Sequence, residues 1–199
     1  MLLFGLAGAG VSARADDAED AAKFIQDFGH RAIDSLTDKS LTDKELVERF
    51  RNLFREGFDV PYIARSALGR FWPRATDAEK KEYVPLFEDY IVEVYASQFR
   101  DYSGEMFKAT TAYQAADGVV DVASDVVRSD GPTTKVDWYV AKVDGTFKIQ
   151  DVKIEGVSMI TTHRDTFANE ILQHNGQVSG LIEALRSKTA LLRSDAGNG

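Results

Sequence analysis

Three histidines, His30, His163 and His174, are the first residues to test for chemistry, since imidazole serves as metal ligand, base and proton shuttle. No two of them stand at the close spacing of a metal site, and the chain has no cysteine to complete one. Glu170 and His174 lie four apart and would touch on a helix, where a solvated pair is the ordinary outcome. Ser158, His163 and Asp165 hold the residue types of a nucleophilic triad, but nearness in sequence is not triad geometry, and no G-x-S-x-G motif accompanies them. Asp121, Asp125 and Asp137 fall on strand-like segments; one of them buried in a pocket would serve as a general base, and an outward one would be solvated. Gly5, Gly8 and Gly10 follow no strand, which leaves a phosphate loop without support.

A second set is aromatic and basic. Arg70-Phe-Trp-Pro-Arg74 places Trp72 between Arg70 and Arg74 in a proline-bounded loop. That composition occurs at contact surfaces and anion sites, and equally in plain helix-capping loops. Phe, Trp and Tyr make up 11% of the residues. Many recur on one side of a predicted helix or strand, where they form either a packed core or the wall of a cavity.

The chain that must position these residues has 199 residues, 44% of them hydrophobic and 28% charged, a globular composition long enough for one domain with a substantial core. Its formal net charge of −8, with no basic block, argues against nucleic acid and against permanent residence on an anionic membrane surface. Met1–Val11 is an uncharged apolar run followed by Ala13-Arg14-Ala15, which has the small-x-small form of a cleavage site. The run is too short to span a bilayer and reads as the core of a secretory signal peptide over 1–15, with export of a chain that begins at Asp16. A short membrane anchor is the alternative. Without cysteine the exported protein has neither disulfides nor a lipidated cysteine.

Along the rest, apolar residues at helical spacing predict helices over 17–36, 42–57, 60–68, 76–100, 159–174 and 178–192, and Arg193 to Gly199 reads as a disordered tail. Thr42-Asp-Lys-Glu45 and Thr76-Asp-Ala-Glu79 are capping boxes, and Asp16 or Asp17 would cap the first helix. Pro85 falls inside the fourth pattern and predicts a kink or a break. From Glu105 the period changes to two: strands are expected over 106–114, 119–128, 135–143 and 146–155, separated by Asp117-Gly118, Ser129–Pro132 and Asp144-Gly145. Short turns make these a four-stranded antiparallel meander. The fold class is therefore α+β, a curved sheet packed by helices from both ends of the chain, with the plan of an NTF2-like cone carrying a helical annex.

Two blocks are less generic. Residues 58–105 carry Phe58-Asp59, an Ala-x-x-x-Leu-Gly turn ending at Gly69, an aromatic-Trp pair at 71–72, a Thr cap and a long aromatic helix ending in Tyr. Residues 149–171 carry a strand with Asp151, then Gly156-Val157-Ser158, then Arg164 and Phe167 on a helix. In this order, behind an export signal, they resemble the toluene-tolerance (Ttg2/Mla) family, the MlaC-like periplasmic phospholipid-binding proteins. The likeness runs from about residue 20 to 190. It implies no enzyme and no cofactor, but a monomeric carrier in the Gram-negative periplasm. Its partners would be phospholipid, an inner-membrane ABC transporter complex with an MCE-domain subunit, and an outer-membrane lipoprotein complex. It would thereby maintain outer-membrane lipid asymmetry. A carrier of hopanoid-type lipids, a small enzyme on the same cone and a ligand-free adaptor are the alternatives.

On that reading a lipid cavity lies between the concave sheet face and the helices. Its expected wall takes Phe87, Ile91 and Tyr95 from the long helix, Val122, Trp138, Val140 and Ile149 from alternate strand positions, and Met159, Phe167 and Ile171 from the helix after Gly156. Arg70, Trp72, Arg74 and Arg164 are expected at the pocket mouth or at a partner contact, with Arg164 at the mouth or bracing it.

Overall fold

The computed structural model describes residues 9–102, 104–128 and 131–196. Six α-helices and a five-stranded sheet are found among them: α1 Ala9–Leu36, α2 Asp43–Gly57, α3 Val60–Leu68, α4 Asp77–Ala96, β1 Met106–Gln114, β2 Val120–Val127, β3 Thr133–Val143, β4 Thr146–Ile154, β5 Val157–Ser158, α5 Met159–Gln173 and α6 Val178–Ala196. Short 3-10 segments, Gly69–Arg74 and Ser97–Asp101, follow α3 and α4.

Local chemistry accounts for most boundaries. Both capping boxes form: the Glu45 N–H donates to Thr42 Oγ1 at 3.3 Å while the Thr42 N–H donates to the Glu45 carboxylate at 2.9 Å, and Thr76 and Glu79 repeat the exchange at 3.2 and 2.8 Å. These bonds hold the Glu45 and Glu79 carboxyls below the usual carboxylate range. Asp117-Gly118 and Asp144-Gly145 have positive φ at both positions, as a two-residue type I′ hairpin requires.

Four expectations need correction. First, α1 does not start at Asp17. It runs through Asp16 and Asp17 from Ala9, because Val11 to Phe28 contains no proline or glycine to stop it. The apolar run before Ala9 lies outside the described residues. Second, Pro85 does not split α4, which is continuous. Tyr83, Phe87 and Ile91 are buried on either side of it and hold the helix in place, while Lys81 and Pro85 are both exposed, so the carbonyl that loses its partner lies on the wetted side. Third, Glu155-Gly156 is another hairpin turn with positive φ at both residues. It adds the short β5 to the four expected strands. Fourth, α6 continues past Arg193 to Ala196, since Arg193 Nε donates to the buried Glu93 carboxylate of α4 at 2.7 Å. Residues 197–199 of the expected tail, and Ser129 and Asp130 of the expected turn, lie outside the described residues.

The sheet is an antiparallel meander in the order β1-β2-β3-β4-β5. Its register pairs Val122 with Trp138 and Val140 with Ile149, one face, and Tyr113 with Asp121 and Asp121 with Tyr139, the opposite face. α1 lays Ala21, Ile25 and Phe28 on the first face against Val120, Val122, Val140 and Ile149. A second core joins α3, α4, α5, α6 and Phe54 of α2 around Tyr83, Phe87, Phe167 and Ile171. A third, small one joins Leu36, Leu41 and Leu46. A β-bulge at Gln150 interrupts the β3–β4 ladder, and there the Asp59 N–H donates to the Ile149 carbonyl at 2.9 Å while Gln150 Nε2 donates to Asp59 Oδ2 at 3.0 Å. Asp59 is also the N-cap of α3, so this one carboxylate anchors the second core to the sheet.

Candidate functional site

The three cores are bridged by half-buried residues, Phe50, Leu53 and Phe58, each packed against two of them. Between the cores lies a cavity of about 260 Å³, just below the size of common small-ligand pockets, roughly 300–1,000 Å³. Every α-helix and β-strand from α1 to α5 contributes to its wall except β1, β2 and β5. Phe28, Ala32 and Leu36 of α1 form one side, a stripe at every fourth residue. Phe50, Leu53 and Phe54 come from α2, Phe58 from the bridge to α3, and Ile63 and Ala67 from α3. Phe87, Ile91 and Tyr95 come from α4, with Gln98 and Phe99 just after it. Trp138, Asp151, Val152 and Ile154 come from β3 and β4, and Met159, Ile160 and His163 from the first turns of α5. Gln98 and Ile154 are the exposed members and mark the mouth.

Of the expected wall, Phe87, Ile91, Tyr95, Trp138 and Met159 are brought together here. Val122, Val140 and Ile149 are not among the lining residues; they are fully buried beneath α1. Phe167 and Ile171 also lie elsewhere, because α5 turns its later residues toward α4 and α6. The Phe167 ring stands edge-on to Tyr83 and Phe87 at 6.3 and 6.1 Å. Spacing alone did not single out the α1–α2 side, although Phe28, Ala32 and Leu36 recur at the interval that marks a common face.

The arginines stand outside the cavity. Arg70 and Arg74 hold their guanidinium carbons 5.1 and 5.7 Å from the centre of the Phe71 ring, and Trp72 is half-buried against the helical core with Lys80 Nζ 5.6 Å above it. Arg70 and Arg164 share a surface depression with Asp165, Asn169 and Leu172. Arg164 Nε donates to the Ser66 carbonyl at 2.9 Å. Its side chain crosses Gly69, where an added Cβ would meet it at 3.1 Å and where φ is +54°. Ser66 precedes Ala67 and Arg164 follows His163, and both neighbours line the cavity, so Arg164 ties α3 to α5 from behind the wall.

The chemistry of the wall is apolar with a few polar atoms. Asp151, its one carboxylate, is engaged: Oδ2 accepts from Ser158 Oγ at 2.6 Å, and Oδ1 accepts from the Ile160 N–H at 3.2 Å and the Val152 N–H at 2.9 Å. Ser158 is the N-cap of α5. It is therefore joined to Asp151, whereas His163 Nε2 lies 3.0 Å from the Tyr95 hydroxyl; Ser158, His163 and Asp165 do not assemble into a triad. Burial lowers the pKa of His163 and, with the neighbouring Tyr90 as a smaller cause, pushes Tyr95 up to about 12. Asp121 accepts from Tyr113 on the far face of the sheet, and Asp125 pairs with Lys135 there. Asp137 has its pKa raised by burial and then by the charge of Asp121. None of these three aspartates lines the cavity. Among the described residues no group of three or more His, Asp or Glu side chains is placed to hold a metal ion, and no helix is long and apolar enough to cross a membrane.

The fold is shared with a phospholipid-binding protein from Ralstonia solanacearum, solved in complex with a phospholipid: TM-score 0.77, 21% sequence identity, covering 87% of this chain and 98% of that one. Residues 26–187 match the MlaC protein family. That span contains every residue of the cavity wall, from Phe28 to His163, and on this match the chain belongs to the MlaC protein family.

Proposed function

We propose that the protein is a non-enzymatic carrier that holds phospholipid acyl chains in this cavity and moves lipid through the periplasm, between the outer and inner membranes. The observation that carries the reading is a preformed cavity whose wall is almost wholly aliphatic and aromatic and whose one carboxylate is spent on structure. Each methylene kept from water is worth about 0.8 kcal/mol, so the roughly 30 methylenes of a diacyl lipid would cost about 24 kcal/mol to expose during a crossing. For the methylenes that it encloses, a wall as apolar as a bilayer makes the exchange nearly isoenergetic. The family match and the lipid complex of the Ralstonia protein support the choice of phospholipid. The proposal includes delivery to an inner-membrane MCE-domain ABC transporter complex, exchange with an outer-membrane lipoprotein complex, and Arg70, Trp72 and Arg74 as partner contacts.

Native mass spectrometry of protein purified from cells tests the central claim. Phospholipid-mass adducts released on activation are expected; protein without lipid, or with polycyclic lipid instead, would refute it. Export with cleavage after Ala15 makes Asp16 the first residue read by N-terminal sequencing of the periplasmic fraction, and intact Met1 in the cytosol would contradict that. Arg164→Ala removes one hydrogen bond behind the wall, about 1 kcal/mol or a fall of roughly 2–4 °C in Tm. Co-purified lipid should nonetheless drop several-fold, because α3 and α5 lose their tie next to Ala67 and His163; unchanged lipid would leave Arg164 a surface residue only.

A further inference from the structure

Tyr95 and His163 differ from the other polar side chains of the wall. The Trp138 indole N–H is engaged by Ser124 Oγ at 2.9 Å, Asp151 is engaged at the start of α5, and Gln98 stands exposed at the mouth. Tyr95 and His163 are bonded to each other at 3.0 Å; apart from that bond, only the Met159 sulfur, 3.9 Å from the Tyr95 hydroxyl, lies within hydrogen-bonding reach of either polar group among the described residues. A tyrosine hydroxyl has one proton to donate, and a neutral imidazole has one. Burial disfavours the charged form of each, which keeps the pair neutral at neutral pH. Their mutual bond uses one of the two protons. With the Nε2–H tautomer the Tyr95 O–H is left with the Met159 sulfur, a weak acceptor, and with the Nδ1–H tautomer the Nδ1–H is left; either donor belongs to a pair that lines an apolar cavity. A leftover donor in such surroundings calls for an acceptor.

We infer that the Tyr95–His163 pair is a hydrogen-bonding anchor for a carbonyl oxygen of the bound ligand, and that it selects ester-linked lipids over ether-linked or purely hydrocarbon ones. The inference rests on the lipid-carrier reading. Position supports the ester group as the acceptor. Gln98 and Ile154 mark the mouth, Met159 is half-buried, and His163 is buried one helical turn further along α5. A phospholipid with its headgroup in water at the mouth and its chains inside carries its ester carbonyls just below that mouth, and the chains beneath them have no acceptor to offer. A hopanoid skeleton would leave the donor unmet.

The test uses the delipidated full chain and two probes with the same headgroup and chain length, dimyristoyl phosphatidylglycerol and its ditetradecyl ether analogue, offered at equal concentration and read by native mass spectrometry. The parent is expected to take the ester about two- to ten-fold over the ether, the value of one hydrogen bond. The double variant Tyr95→Phe/His163→Phe, which removes both donors and keeps both rings, should bind the two equally. Infrared spectroscopy of the parent with carbonyl-13C ester lipid needs no variant: the carbonyl band should lie below its position for the same lipid in hexane. Equal binding of ester and ether by the parent, a preference that survives in the folded double variant, or a hexane-like carbonyl band would each overturn the anchor while leaving the carrier intact. Failure of both probes to bind would overturn the carrier reading and the anchor with it.

Discussion

Replacing Ile91 by Asp is expected to abolish lipid retention, lowering affinity by two or more orders of magnitude. Ile91 is 6% exposed, lines the cavity, and sits on α4 one turn from both Phe87 and Tyr95. A carboxylate there would have no cation within the wall, which contains neither Lys nor Arg. Bringing acyl chains against it would strip its water without a replacement, a cost of several kcal/mol that the chains cannot offset. In the empty protein the same carboxylate can draw water into a cavity of about 260 Å³, so the fold should survive with a lower Tm. Ile91→Ala is the control. It widens a space that a flexible acyl chain fills, so lipid loss should be at most a few-fold. Quantitative lipid extraction beside circular dichroism reads both variants. A folded Ile91→Asp protein that still carries stoichiometric phospholipid would show that the chains do not reach this wall.

Asp151→Ala should be the most damaging change to the fold among the polar residues of the site. Asp151 receives Ser158 Oγ, the Ile160 N–H and the Val152 N–H, and so pins the β4–β5 hairpin to the first turn of α5. Hydrogen bonds to a charged group contribute about 1.5–3 kcal/mol each, and a carboxylate beside a helix N-terminus adds about 0.3–1 kcal/mol. Some relaxation is available, since Ser158 Oγ keeps its bond from the Thr161 N–H at 3.1 Å. A net loss of about 3 kcal/mol, a fall in Tm of roughly 6–12 °C, is expected from thermal unfolding. Lipid retention should fall with it, because Met159, Ile160 and His163 stand on the turn that Asp151 holds. Asp151→Asn keeps an Oδ1 acceptor for both the Ile160 and the Val152 N–H and can turn its Nδ2 donor to Ser158 Oγ, so it should cost less than half as much. If alanine and asparagine prove equally mild, the hairpin and helix are held by packing and not by this carboxylate.

Much of the molecule is legible in the chain, and the legible parts share one property: their causes lie within a few residues. Thr42 and Glu45, or Thr76 and Glu79, find each other three residues apart, so two helix starts can be read directly. Asp117-Gly118 and Asp144-Gly145 carry the backbone freedom a tight hairpin needs, and four strands joined by such turns have no arrangement open to them but an antiparallel meander. The stripe of Phe87, Ile91 and Tyr95 follows from helical spacing alone, and the family follows from two blocks in order.

Tertiary structure decided what depended on distant partners. α6 extends beyond Arg193 because Glu93, one hundred residues earlier, offers its carboxylate. α4 passes through Pro85 because Tyr83, Phe87 and Ile91 are locked into a core assembled from five helices. Alternation could place Val122, Val140 and Ile149 on the same face as Trp138, yet it could not say that α1 covers those three while Trp138 is left to border the cavity. Nor could it show that α5 gives its first turns, His163 included, to the cavity and sends Phe167 and Ile171 to α4 and α6. A buried apolar residue has the same sequence signature whether its neighbour is another side chain or an empty space. Periodicity reports which side of an element avoids water, whereas a cavity is defined by the gap that three bridged cores leave between them, and that is set by long-range contacts and the size of side chains contributed from opposite ends of the chain.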